Sequence, residues 1–149
     1  MMDTRTEAFR LLKEAEEDLG RAIRYSGFQD WVTVVLYAQL ATEKAAKAAI
    51  ACMESFEWTH DPSDQVRRLV ARGQLPADFL EVALLVRAAA PWHGRSTYGG
   101  LREGVWRSPS ELCTEEVALA LLEGARKAVE KARDFVGGFF GEQDEIGGS

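Results

Sequence analysis

A chain of 149 residues, 46% hydrophobic and 28% charged, suits one folded domain with a core of its own and excludes a disordered polymer. Its net charge of −6 excludes a surface that grips nucleic acid all round, since phosphate binding needs clustered Lys and Arg; a local basic patch stays open. Cys52 and Cys113 lie far apart and form no Cys-x-x-Cys pair, so they read as buried free thiols, with a disulfide between them as the lesser reading.

The N-terminus is polar and charged, and no stretch reaches the roughly 18 uncharged apolar residues of a membrane span, which predicts a cytoplasmic protein that makes no membrane contact. The first helix is predicted from about Thr4 to Tyr25, where Phe9, Leu12, Leu19 and Ile23 share a face with Ala8, Ala15 and Ala22. Ser26-Gly27 ends it. A second helix follows from about Asp30, a plausible N-cap, to Glu54. Its apolar stripe (Trp31, Val34, Val35, Ala38, Ala41, Ala45, Ala48, Ala49, Cys52) is widened by Leu36 and Leu40, the pattern of a helix at the centre of a bundle or at a subunit interface. Asp61 and Pro62 then open a short helix from about Ser63 to Ala71, and Pro76 opens another from about Ala77 to Ala90.

From Pro91 to Pro109 there is no period, and four glycines intervene; this reads as a long loop, too long to be an idle connection. Thr114 caps the last helix, with Glu115 and Glu116 in its first turn, and Gly137-Gly138 is read as its end. The predicted fold is therefore all-α: an up-and-down bundle of about five helices with a long loop before the last one. The folded domain spans residues 1–137, and residues 138–149 form a flexible, Gly-rich acidic tail.

Two features carry possible chemistry. Gln39, Glu43 and Lys47 recur every four residues, with the acid N-terminal to the base as a helical ion pair prefers; the line is either a solvated stripe or a polar seam facing a partner or a nucleotide. The segment from Arg87 to Arg107 carries four arginines (87, 95, 102, 107) against Glu103, a local charge of +3 that leaves −9 for the rest of the chain. Trp92, Tyr98 and Trp106 are interleaved with them, so Arg95, Tyr98, Arg102, Trp106 and Arg107 are candidates to bind a nucleotide or RNA by charge and stacking. His60 reads as a structural residue at a helix start, with Trp58 packed against the same corner. The sequence holds no Gly-x-Gly-x-x-Gly, no P-loop and no His/Cys spacing that would place a metal, and no cofactor is expected.

Four pieces in order resemble the HEPN family, the helical domain of higher eukaryotes and prokaryotes linked to nucleotide binding. Tyr37-Ala38-Gln39-Leu40-Ala41-Thr42-Glu43-Lys44-Ala45-Ala46-Lys47-Ala48 is similar to the family's Gln-Gln-Ala-Ala-Glu-Lys-Ala-Leu-Lys-Ala segment. Thr59-His60-Asp61 is similar to its Thr-His-Asp-Leu, with Pro62 in place of the Leu. Ser96-Thr97-Tyr98 stands where relatives often carry Ser-Arg-Tyr, and Cys113-Thr114-Glu115-Glu116 resembles a Tyr-Thr-Glu-Glu opening. The resemblance covers about Ala8 to Val136. It implies a helical homodimer, with the second helix and the aromatic segment in its interface, that acts as an interaction or nucleotide-binding module beside a minimal nucleotidyltransferase. As the alternative it implies a metal-independent, toxin-like endoribonuclease. The family's ribonuclease signature is Arg, four to six residues, then His, and Arg87 and His93 fit it with five residues between. They are the candidate catalytic residues. Two copies of His93 across a dimer would act as base and acid, and Arg87 would neutralise the developing phosphate charge. Ala88 departs from the polar neighbour usual after that Arg, which favours the binding module.

Overall fold

The computed structural model of the chain describes the backbone of residues 3–147 and the side chains of residues 3–141. The all-α expectation holds, with one small addition of strand. Helix α1 spans Thr4–Gly27, capped by the Asp3 carboxylate, which accepts from the Thr6 amide at 2.8 Å. It buries Ala8, Leu11, Leu12, Ala15 and Ala22. Phe9 and Ile23, predicted on the buried face, stand partly in solvent, and Leu11 takes their place. The alanines centre the face, and small side chains let the next helix approach closely.

Helix α2, Trp31–Ala51, begins where Asp30 accepts from both the amide and the hydroxyl of Thr33. It is the axis of the molecule, packed by α1, by helices α3 (Ser63–Ala71), α4 (Phe79–Ala89) and α5 (Trp92–Tyr98), and by the last helix, α7 (Glu115–Gly147). Its alanines, with Val34 and Val35, are buried within the single chain. The cover that so broad an apolar surface demands is thus supplied by the chain's own helices. A buried carboxylate, Asp18 on α1, binds Lys44 of α2 and Arg21, each at 2.8 Å, and ties the two long helices together.

The segment read as a long loop is ordered structure. It folds as α5, then an antiparallel hairpin of β1 (Gly100–Arg102) and β2 (Val105–Arg107), then α6 (Pro109–Leu112). Gly94 inside α5 weakens a helix by about 1 kcal/mol relative to alanine. Packing against α2 overrides that, and no short-range periodicity reports such packing. The two-residue turn, Glu103-Gly104, has φ of 53° and 77°, the paired positive values that match the twist of a hairpin. A capping box opens α6: Ser108 accepts from the Glu111 amide, and the Glu111 carboxylate accepts from the Ser108 amide.

Thr114 caps α7 as predicted, accepting from the Val117 amide at 3.2 Å. The helix does not end at Gly137-Gly138 but continues to Gly147. Phe139 and Phe140 extend an aromatic row with Phe135, and Phe140 meets Phe9 of α1 at 5.5 Å, which offsets the helical cost of the glycines. Residues 148–149 of the expected acidic tail, and the side chains beyond residue 141, lie outside the described residues. No helix among those described is long and apolar enough to cross a membrane.

Both cysteines are buried free thiols. Burial pushes the Cys52 thiol up to about 12, so the protonated form prevails at any ordinary pH. Cys52 should therefore resist iodoacetamide in the native protein at pH 8 and react once the chain is unfolded in urea. Mass spectrometry of the two samples checks this, and rapid native labelling would contradict it.

Candidate functional site

The polar line on α2 does not face water. Gln39, Glu43 and Lys47 are all buried, at 1%, 7% and 7% exposure. Such groups persist in a core only when paired. Glu43 accepts from Lys47 Nζ at 2.9 Å on one oxygen and from Gln39 Nε2 at 3.0 Å on the other. Burial alone would raise the Glu43 carboxyl, but the hydrogen bonds from Lys47, Gln39 and His60 outweigh it and hold the group below the ordinary carboxylate range. The Lys47 ammonium also lies 5.1 Å from the Phe56 ring centre.

Two histidines complete the line. His60 sits on the turn before α3, where Thr59 accepts from the Asp61 amide and Asp61 from the Ser63 amide. Its Nδ1 is 3.0 Å from Glu43 Oε1. His93, in the first turn of α5, places Nδ1 3.0 Å from Gln39 Oε1. Because the Gln39 amide nitrogen donates to Glu43, its oxygen is the end left to accept, which assigns the His93 proton to Nδ1. The two imidazoles stack, with centres 3.9 Å apart and planes 19° from parallel. Burial, and then the neighbouring His60, push His93 below the ordinary histidine range, while Glu43 pulls the other way. Rings in such contact leave no room for a phosphate between them. What they share is an edge directed at the buried carboxylate. Glu43, His60 and His93 each offer a ligand-type atom, and the three atoms lie within 4.8 Å of one another. The sequence, in which these residues are 17 and 33 positions apart, gives no metal-type spacing; the fold assembles the cluster all the same.

Arg87 is exposed in the last turn of α4 and makes no hydrogen bond or ion pair among the described residues. No hydrogen bond links it to His93. His93 belongs to a helix and to the Gln39 contact, not to a loop. Arg95 lies over the Trp92 ring, 5.0 Å from its centre. Tyr98 at the end of α5 and Trp106 on β2 are exposed, at 75% and 62%, and Arg102 is exposed on β1. Arg107 is partly neutralised by Glu111 at 3.2 Å, and its Nε is buried without a partner. Trp58 does not pack beside His60; it stands almost wholly in solvent and touches Phe56 edge-on. A groove of about 330 Å³ runs along Trp92, Arg95, Leu101, Arg102, Thr114 and Val117.

Sequence reasoning singled out the α2 polar line and the Thr59-His60-Asp61 piece but left them apart, and assigned His60 a structural part. The usable signal was that both belong to the family-like segments. The model of the HEPN domain matches residues 8–135. No curated protein and no solved structure is significantly similar to the chain.

Proposed function

Since the chain belongs to the HEPN family, we propose that it is a nucleotide-binding helical module whose ligand lies in the groove between α5, β1 and the start of α7. The observation that supports this is the groove itself, which sets two arginines, Arg95 and Arg102, beside the Trp92 ring on an otherwise acidic molecule. Its volume falls in the range of small-molecule sites. The arginines suit phosphate oxygens, and the exposed faces of Tyr98 and Trp106 suit bases. Exposed Leu101 and Val105 on the hairpin supply the apolar contact for a homodimer. The family resemblance adds a minimal nucleotidyltransferase as the partner of that dimer.

The test is titration with ATP and with a single-stranded RNA oligonucleotide, read by calorimetry and fluorescence anisotropy. Binding should be salt-dependent, and the Arg95→Ala/Arg102→Ala variant should weaken it at least about tenfold. Absence of binding to either ligand at submillimolar protein would sink the reading. Cleavage of the RNA in excess chelator, abolished by His93→Ala, would instead assign the endoribonuclease alternative, with Arg87 and His93 as its catalytic residues.

A further inference from the structure

We propose that Glu43, His60 and His93 form a binding site for one first-row divalent transition metal ion, Zn2+ being the best fit. This goes beyond the nucleotide reading and does not depend on it, since none of the three residues lines the arginine groove.

The argument begins with the donor set. Two imidazoles and one carboxylate are ligands that suit Zn2+, Co2+ or Ni2+; Mg2+ and Ca2+ demand oxygen alone. Three protein ligands leave a fourth position open, the arrangement of sites at which a metal meets water or substrate. The geometry is close to what such an ion needs. Ligand atoms bound tetrahedrally at about 2.1 Å are about 3.4 Å from one another. Glu43 Oε1 and His60 Nδ1 are already 3.0 Å apart, in a hydrogen bond whose proton the ion would displace; His93, with Nδ1 donating to Gln39, has Nε2 to offer, and the ligand atoms of the set lie within 4.8 Å of one another. The remaining closure is on the order of 1 Å, and His60 can supply it, because its side chain is 60% exposed and held only by the Glu43 hydrogen bond and the stack on His93. That exposure is also the entry path for the ion.

The surroundings are built as a support for ligands. Gln39 bonds both the carboxylate and His93, so it holds two members of the set in place. Lys47 fixes Glu43 Oε2 and leaves Oε1 directed at the histidines. The stacked rings hold the two imidazoles side by side at the Glu43 carboxylate, 3.9 Å apart and 19° from parallel, so the exposed His60 ring must tilt out of the stack for both in-plane lone pairs to meet one ion. One contact opposes the ion: the Lys47 ammonium is a like charge one carboxylate away. It must lower the affinity for a cation, and it would raise the affinity for an anion. That opposition makes the proposal sharply testable.

The experiment uses the full chain, stripped with chelator, dialysed and titrated with Zn2+ by calorimetry, with the thermal midpoint followed in parallel. One ion per chain should bind at micromolar concentrations and raise the midpoint as mass action requires. Co2+ should give the visible absorption of a tetrahedral site. His60→Ala and His93→Ala should each weaken binding by at least about tenfold, and the exposed His60 can be changed without disturbing the core. Lys47→Met should strengthen Zn2+ binding by about tenfold or more, and if that variant folds poorly, the two histidine variants still decide the matter. Absence of binding, or binding unchanged in both histidine variants, would overturn the proposal. So would binding weakened by Lys47→Met in a protein that remains folded. Failure here leaves the ATP titration untouched, because that depends on Arg95 and Arg102.

Discussion

Replacing Lys47 by methionine should cost about 3–5 kcal/mol of folding free energy in the metal-free protein. The pair it breaks is buried on both sides, with 9% of each side chain exposed and 2.9 Å between Nζ and Oε2. Methionine fills the stem's volume, so the loss is of charge and not of packing. What remains is a carboxylate deep between helices with no cation on Oε2. Gln39 and His60 still donate to the other oxygen, which keeps the loss within this range. The control is the double variant Glu43→Gln/Lys47→Met. It removes both charges, keeps the carbonyl acceptor, and should recover most of the stability, because a neutral buried pair carries little desolvation cost. Urea denaturation followed by circular dichroism measures all three proteins in excess chelator. If the single variant loses less than about 1 kcal/mol, the size of a surface ion pair, the stripe is not the buried anchor described above.

Much of the fold was legible because its signals are local. Asp30 before Trp31, Pro62 before Ser63, Pro76 ahead of Phe79 and Thr114 before Glu115 each mark a helix start through chemistry that acts within four residues. The span from Trp92 to Leu112 was illegible for the opposite reason. Its order comes from contacts such as His93 to Gln39, 54 residues apart, and from a seven-residue helix too short to show a period. One local signal there went unread: Ser108-Pro109-Ser110-Glu111 is a capping box with proline at the first helical position. The end of α7 misled because Gly137-Gly138 stops a helix only when nothing holds the chain beyond it, and Phe140 is held on Phe9. The site was half legible. Sequence found the α2 line and, through the family motif, His93. Spacing alone does not say that α2 turns the line inward, or that two distant segments bring His60 and His93 into contact there.

Gly99→Ala should dismantle the hairpin and abolish ATP binding while leaving the helical bundle standing. Gly99 ends α5 with φ 86° and ψ −162°, a region open essentially to glycine alone. A Cβ there would lie 2.2 Å from the Arg107 carbonyl oxygen, which is backbone and cannot swing aside. Residues 99 and 107 sit at the base of the hairpin, where Gly100 pairs with Arg107. The substitution therefore forces the two strands apart at the point where they leave the bundle. Gly104 at the hairpin tip gives the matched control. It too has positive φ, 77°, but a Cβ would meet nothing within 4 Å. Gly104→Ala should pay only the backbone strain, about 1–2 kcal/mol, and keep the hairpin. The difference between the two variants isolates the clash. Hydrogen exchange at the amides of the Gly100–Arg107 and Arg102–Val105 pairs, the hydrogen-bonded pairs of the ladder, reads the hairpin directly, and the far-ultraviolet helix signal reads the bundle. If Gly99→Ala keeps both the protected amides and ATP binding, the chain relieves the clash without parting the strands, and the expected loss of the hairpin is refuted. If it loses the amides and still binds ATP at full strength, the ligand lies elsewhere, and Arg102 has no part in holding it.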